Sequence, residues 1–176
     1  MGTTNRATTW KYGDAKKVDM IPPVSGVSIS KGDIVGQCPS GGLTGATSGA
    51  SITQGTPFPA SDQPWDTNLA TTQANFQANF LGVAHTAFKT DGTTPAGEAG
   101  TRGVHEFDCA SGTWAVGDLV GPAKGTGNVL MDQKVAGVAS VGLACGRVAK
   151  NYTSATTKVL VEVFSSIMEG GVQASV

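Results

Sequence analysis

Charge, aromatic rings and cysteine are all scarce in this chain of 176 residues. Asp, Glu, Lys and Arg together make 14% of it, aromatic residues make 6%, there are three cysteines and two histidines, and the net charge is −1. A charged fraction so far below the usual quarter excludes a coiled coil or a charged helical bundle. It also excludes a disordered chain kept open by its own charge. A net charge near zero leaves no electrostatic footprint for DNA or RNA. No apolar run approaches 18 residues, so no segment reads as a membrane-spanning helix. The polar stretch from Met1 to Lys17 lacks the apolar centre of a secretory signal. Cys38, Cys109 and Cys145 are odd in number and widely spaced, and read as free thiols of a protein made in a reducing cytosol.

What is abundant is glycine, 25 residues of it, set among Ser, Thr and short β-branched runs. That pattern reads as one compact, turn-rich, all-β domain. Residues 1–17 have no hydrophobic period and read as an extended N-terminal arm, with Trp10 and Tyr12 available to dock on this domain or on a neighbour. Residues 18–176 form the domain.

The body carries an internal echo. Ser30-Lys31-Gly32-Asp33-Ile34-Val35-Gly36 returns as Ala115-Val116-Gly117-Asp118-Leu119-Val120-Gly121. The echo extends from Phe80-Leu81-Gly82-Val83-Ala84 to Ser140-Val141-Gly142-Leu143-Ala144. Each Gly-Asp pair predicts a tight turn in which the aspartate bonds nearby backbone. Two halves of related structure follow.

Alternation over Val104 to Cys109 puts Val104, Glu106 and Asp108 on one strand face and His105, Phe107 and Cys109 on the other. Lys158 to Phe164 is β-branched and apolar, a buried strand. Val135 to Val148 is built of small residues that allow close backbone approach. Asp91-Gly92 signals a hairpin. Residues 37–79 read as an insertion: a Gly/Ser/Thr loop, a Pro-rich extended piece, and the single helix of the chain. Asp66 or Thr67 would cap that helix, Trp65 would staple it, and Leu69, Phe76 and Phe80 would share its apolar face.

Chemistry is harder to find. His105 and Cys109, four residues apart on a strand, lie roughly 13 Å from each other and cannot share a metal ion. No Cys-x-x-Cys or His-x-x-x-His occurs. No Gly-x-Ser-x-Gly elbow is present, and His85 reads as a satisfied sheet histidine. Gly41-Gly42-Leu43-Thr44-Gly45 and Lys124-Gly125-Thr126-Gly127 lack the ending of a phosphate loop. Glu106 and Asp108, roughly 6.6 Å apart along the strand, have the spacing of an inverting glycosidase pair. No aromatic subsite pattern accompanies them, so they read as a solvated strand face. The expectation is a protein that is not an enzyme and needs neither metal nor cofactor.

Phe107-Asp108-x-Ala110-Ser111-Gly112-Thr113, Gly117-Asp118-Leu119-Val120-Gly121, Gly146-Arg147-Val148-Ala149 and the Val159-Leu160-Val161-Glu162-Val163 strand together resemble the small bacteriophage proteins encoded beside capsid genes, the head decoration or capsid cement proteins. The Trp65-Asp66-Thr67 to Phe80-Ala84 segment is similar to members from environmental phages. The resemblance covers about residues 18 to 165. It implies an all-β fold, a small β-barrel, β-tulip or sandwich, and a virion protein on the outer capsid surface, made in the host cytoplasm, with the major capsid protein as partner and a homotrimer as its state, and no nucleic acid or membrane. Trp10, Tyr12 and Trp65 are its candidate capsid or subunit contacts. The competing expectation is a glycan- or receptor-binding β module of a virion accessory structure.

Overall fold

The computed structural model describes residues 9–87 and 97–174, and for residues 9, 10 and 13–15 the backbone alone. The strands are β1 (Thr9–Met20), β2 (Ile34–Gln37), β3 (Pro57–Pro59), β4 (Phe80–Ala84), β5 (Gly97–Trp114), β6 (Leu119–Lys124), β7 (Leu130–Gly137), β8 (Gly146–Val148) and β9 (Tyr152–Phe164). Two helices, α1 (Leu69–Ala78) and α2 (Ser166–Glu169), and two single 3₁₀ turns complete the described elements. The all-β expectation holds, with 46% strand and 13% helix. The second helix is an addition to the single one expected. The Asp91-Gly92 hairpin signal lies outside the described residues.

Five strands close on themselves. β5 pairs with β9, β9 with β8, β8 with β6, β6 with β7, and β7 returns to β5. The β5–β7 contact is parallel and the others are antiparallel. Closure removes the exposed edges that make open sheets prone to stray pairing. β4 attaches β2 and β3 to the start of β5. Alternation decides what fills the barrel. Val159, Val161 and Val163 of β9 are fully buried, and their β5 partners include Phe107 and His105, also buried. Between them Glu106 and Asp108 point outward to Lys158, at 3.6 and 3.1 Å. Such exposed pairs contribute little to stability, so the strand is held by its inner face.

The two Gly-Asp turns are the same structure made twice. In the first, Asp33 accepts from the Ser30 N–H at 2.6 Å, Gly32 donates to the Ala84 carbonyl and Ala84 donates to Asp33. In the second, Asp118 accepts from the Ala115 N–H at 2.8 Å, Gly117 donates to Val148 and Val148 to Asp118. The strands that follow agree in register: Ile34 faces Val83 and Val35 faces Gly82, while Leu119 faces Arg147 and Val120 faces Gly146. The correspondence continues outward, since Val83 pairs with Gly100 as Arg147 pairs with Glu162. Hence the partner of Phe80–Ala84 in the second half is Ala144–Val148, four residues later than the sequence echo suggests. Val141–Leu143 is a 3₁₀ turn.

Two other expectations change. The arm boundary at residue 17 falls inside β1, which pairs with β5 from Thr9 to Met20 through three register shifts. Backbone hydrogen bonds to β5 hold this polar segment, which is why it has no hydrophobic period. The insertion, residues 37–79, is no peripheral loop: Ile52, Phe58 and Phe76 are core residues, with the Phe58 and Phe76 rings edge to face at 6.0 Å. The helix within it is capped by Asn68, whose side chain accepts from the Ala70 N–H. Asp66 instead accepts from Thr67 and Asn68, just ahead of the helix. Phe80 belongs to β4, and Trp65, 58% exposed, stands three residues ahead of the Asn68 cap and not at the position directly before it, where a staple sits.

Candidate functional site

The fold brings the rings of His85 and His105 together, although twenty positions separate them and the His85 backbone bonds Glu98 rather than His105. Their rings lie 5.6 Å apart, tilted by 41°. His105 is buried, and among the described residues neither of its nitrogens nor Nε2 of His85 has a hydrogen-bond partner. His85 is therefore not the satisfied sheet histidine of the sequence reading. Burial, and for His105 also the charge His85 would carry, push both imidazoles below their usual pKa, His105 to about 3. The pair is neutral and apolar in character at ordinary pH.

A second ionisable cluster joins β7 to the insertion. Asp132 accepts from the Ser61 N–H at 2.6 Å and from its hydroxyl at 2.8 Å. Burial, then the carboxylate of Asp33, pushes the Asp132 pKa up to about 7. Asp33 is raised as well, chiefly by burial, and accepts from the Gln133 amide. These aspartates brace the turn and the sheet against each other. Among the described residues no three His, Cys, Asp or Glu side chains converge as metal ligands would.

All three cysteines are buried and unpaired. Burial raises each thiol, Cys145 to about 12, so the reactive thiolate is suppressed. With native protein a thiol reagent such as Ellman's is expected to register almost none of them within minutes, and all three after denaturation. Rapid labelling of even one native thiol would contradict this packing.

Two surfaces remain. The first is the free edge of β1. Residues 102–106 of β5 pair with β1 and with β9, so the two flank β5 on opposite sides. Among the described residues β1 has no further strand partner, and its outer edge is unpaired. Tyr12 on this strand is 49% exposed. Lys16 bonds Glu169 at 2.9 Å and ties β1 to α2, where Ile167 and Met168 are also exposed. The backbone of Trp10 pairs with His105, and its side chain lies outside the described residues.

The second is a groove of about 460 Å³ in front of α1, lined by Gly42, Leu43, Gln63, Trp65, Asn75 and Asn79 among others. Its loop is firmly set. Asn128 donates to the carbonyls of Asp66 and Thr67 at 2.8 and 2.7 Å, and the Asp66 N–H donates to Thr72. Trp65 is thus held by its backbone neighbours with its ring in solvent. Tyr12 and Trp65, paired as contacts in the sequence reading, share neither a cavity nor a ring contact among the described residues. The groove escaped the sequence because three separate segments build it. Ile167 and Met168 escaped because a four-residue helix leaves no periodic signal. No family model, no curated protein and no solved structure matches the chain.

Proposed function

We propose that this chain is a structural virion protein that binds the outer surface of a phage capsid and ties neighbouring major capsid protein subunits together. It acts by binding, without turnover. The observation that carries this reading is the long open edge of β1 beside the closed barrel. A strand edge binds by adding to a partner's sheet, with main-chain bonds for affinity and side chains for choice of partner. Lys11, Lys16 and Lys17 together with the register shifts keep that edge from indiscriminate self-pairing. Tyr12, Ile167 and Met168 offer the exposed apolar anchors that concentrate interface energy. Repetition over a symmetric shell converts weak single contacts into firm attachment. The resemblance to decoration proteins supplies the capsid as partner, the outer surface as location and the trimer as state.

Deleting the arm is a poor test, because residues 9–17 pair with β5 and their loss would bare that strand. Point changes at exposed positions are cleaner. Purified heads of the parent phage, stripped of accessory proteins, are expected to co-sediment the intact chain at saturating, stoichiometric occupancy. Tyr12→Asp combined with Met168→Asp is expected to cut occupancy at least about tenfold, equivalent to some 1.4 kcal/mol per site. Circular dichroism should show the variant folded. Failure of the intact chain to bind heads, or full occupancy by a folded variant, would reject the reading.

A further inference from the structure

From the groove at Trp65 we infer a binding site for a neutral saccharide, independent of the capsid-docking edge. The volume, about 460 Å³, lies within the roughly 300–1,000 Å³ of small-molecule sites. Its chemistry narrows the ligand. Trp65, 58% exposed, presents a broad ring to solvent from a loop that Asn128 and Thr72 hold in place. With the main chain next to Trp65 already held, less of the loop has to be ordered on binding, which favours affinity. It offers an apolar face to the C–H face of a sugar ring and needs no charge on the ligand.

The polar groups around it are amides. Asn75 and Asn79 come from α1 and its C-cap, the Asn79 amide donating to the Asn75 carbonyl, and Gln63 is also in the lining. An amide both donates and accepts, which matches hydroxyls that do the same. Gln63 is 3% exposed, and among the described residues its Oε1 has no hydrogen-bond partner. A buried acceptor without a donor is unfavourable, and a ligand hydroxyl that reached it on a small turn of the Gln63 side chain would relieve that cost. Asp66 adds the one carboxylate of the lining among the described residues; its Oδ1 accepts from the Thr67 hydroxyl and the Asn68 N–H.

Other ligand classes fit less well. No Lys, Arg or His lines the groove among the described residues, so a phosphate, sulfate or sialic-acid ligand would meet only Asp66 and be repelled. A quaternary ammonium ligand is recognised by a cage of several aromatic rings, and this groove has one. Proline-rich peptides dock in aromatic-lined grooves, and the same count tells against them.

The test uses the full chain and a panel of neutral oligosaccharides, two to four units long, built from glucose, galactose, mannose, N-acetylglucosamine and N-acetylgalactosamine. Nitrogen-15 spectra follow the indole N–H signals, with that of Trp65 assigned through Trp65→Phe. At least one glycan is expected to bind saturably with Kd of about 1 mM or tighter and to shift the Trp65 signal. Trp65→Ala is expected to weaken it at least about tenfold with an unchanged melting curve, as befits an exposed residue. Gln63→Leu removes the unpartnered oxygen at similar size and is expected to weaken it as well. Absence of saturable binding across the panel would overturn the proposal. So would binding that Trp65→Ala leaves unchanged, or occupation of the groove by a proline-rich peptide with no glycan competing.

Discussion

Gly82→Ala and Gly146→Ala are each expected to destabilise the protein by about 3 kcal/mol, while Gly142→Ala stays within about 0.5 kcal/mol of the parent. The first two glycines stand at corresponding points of the two halves, opposite Val35 and Val120. At both, a neighbouring strand lies against the Cα. A Cβ on Gly146 would lie 2.5 Å from the Glu162 carbonyl oxygen and 2.5 Å from a Val161 methyl. A Cβ on Gly82 would run into the Gly100 carbonyl oxygen closer still. The obstacles are backbone atoms of paired strands, which cannot rotate aside, so the cost sits at the upper end of the overpacking range. For a chain of this length that loss lowers the melting temperature by roughly 6–12 °C. Gly142 has nothing within 4 Å of its would-be Cβ. If Gly142→Ala and Gly146→Ala melt together near the parent, the correspondence of β4 with β8 is wrong.

That correspondence shows what the amino-acid pattern could and could not carry. The Gly-Asp turns were legible because their determinants are local: Asp33 and Asp118 each bond a backbone N–H three residues back. The inward faces of β5 and β9 were legible because alternation is local too. The second echo slipped by four residues because Val141-Gly142-Leu143 imitates Leu81-Gly82-Val83 in composition. What sets the true register is the closeness of β9 to Gly146, a tertiary fact with no local sign. β1 was hidden for a related reason. Its strand conformation comes from hydrogen bonds to β5, and its described side chains, mostly exposed, show no period. The contact of His85 with His105 is not set by local pairing, since the backbone of His85 bonds Glu98, seven residues from His105 along β5; it is a tertiary contact and cannot be read from two isolated histidines. At the groove, Trp65 was singled out, but Gln63, Asn75 and Asn79 were ordinary polar residues until the fold gathered them around it.

The second large effect concerns pH, and it is concealed in the parent protein by two opposing groups. His105, with a native pKa of about 3, stays neutral where the unfolded chain, near 6.5, takes up a proton. Its contribution is therefore complete above pH 6.5 and is lost as pH falls toward 3. His85, also lowered, acts in the same sense. Asp132 has the opposite sign. Its native pKa of about 7 stands above the unfolded 3.8, so the folded state binds a proton that the unfolded state lacks. Its contribution is complete below pH 3.8 and is lost as pH rises through 7, and Asp33, also raised, acts with it. Each slope is up to about 1.4 kcal/mol per pH unit, and each full effect is on the order of 4 kcal/mol. Between about pH 4 and 6.5 the two slopes oppose, and the parent is expected to show a nearly flat stability profile. Asp132→Asn keeps an acceptor for the Ser61 N–H and removes the proton. Its profile is expected to fall steeply toward acid, exposing the histidine slope. His105→Leu removes the other side and is expected to gain stability toward acid. Urea unfolding at pH 4, 5, 6 and 7 measures all three proteins. Slopes of opposite sign in the two variants are the expected result, and variant profiles that run parallel to the parent's would show that neither group controls acid stability.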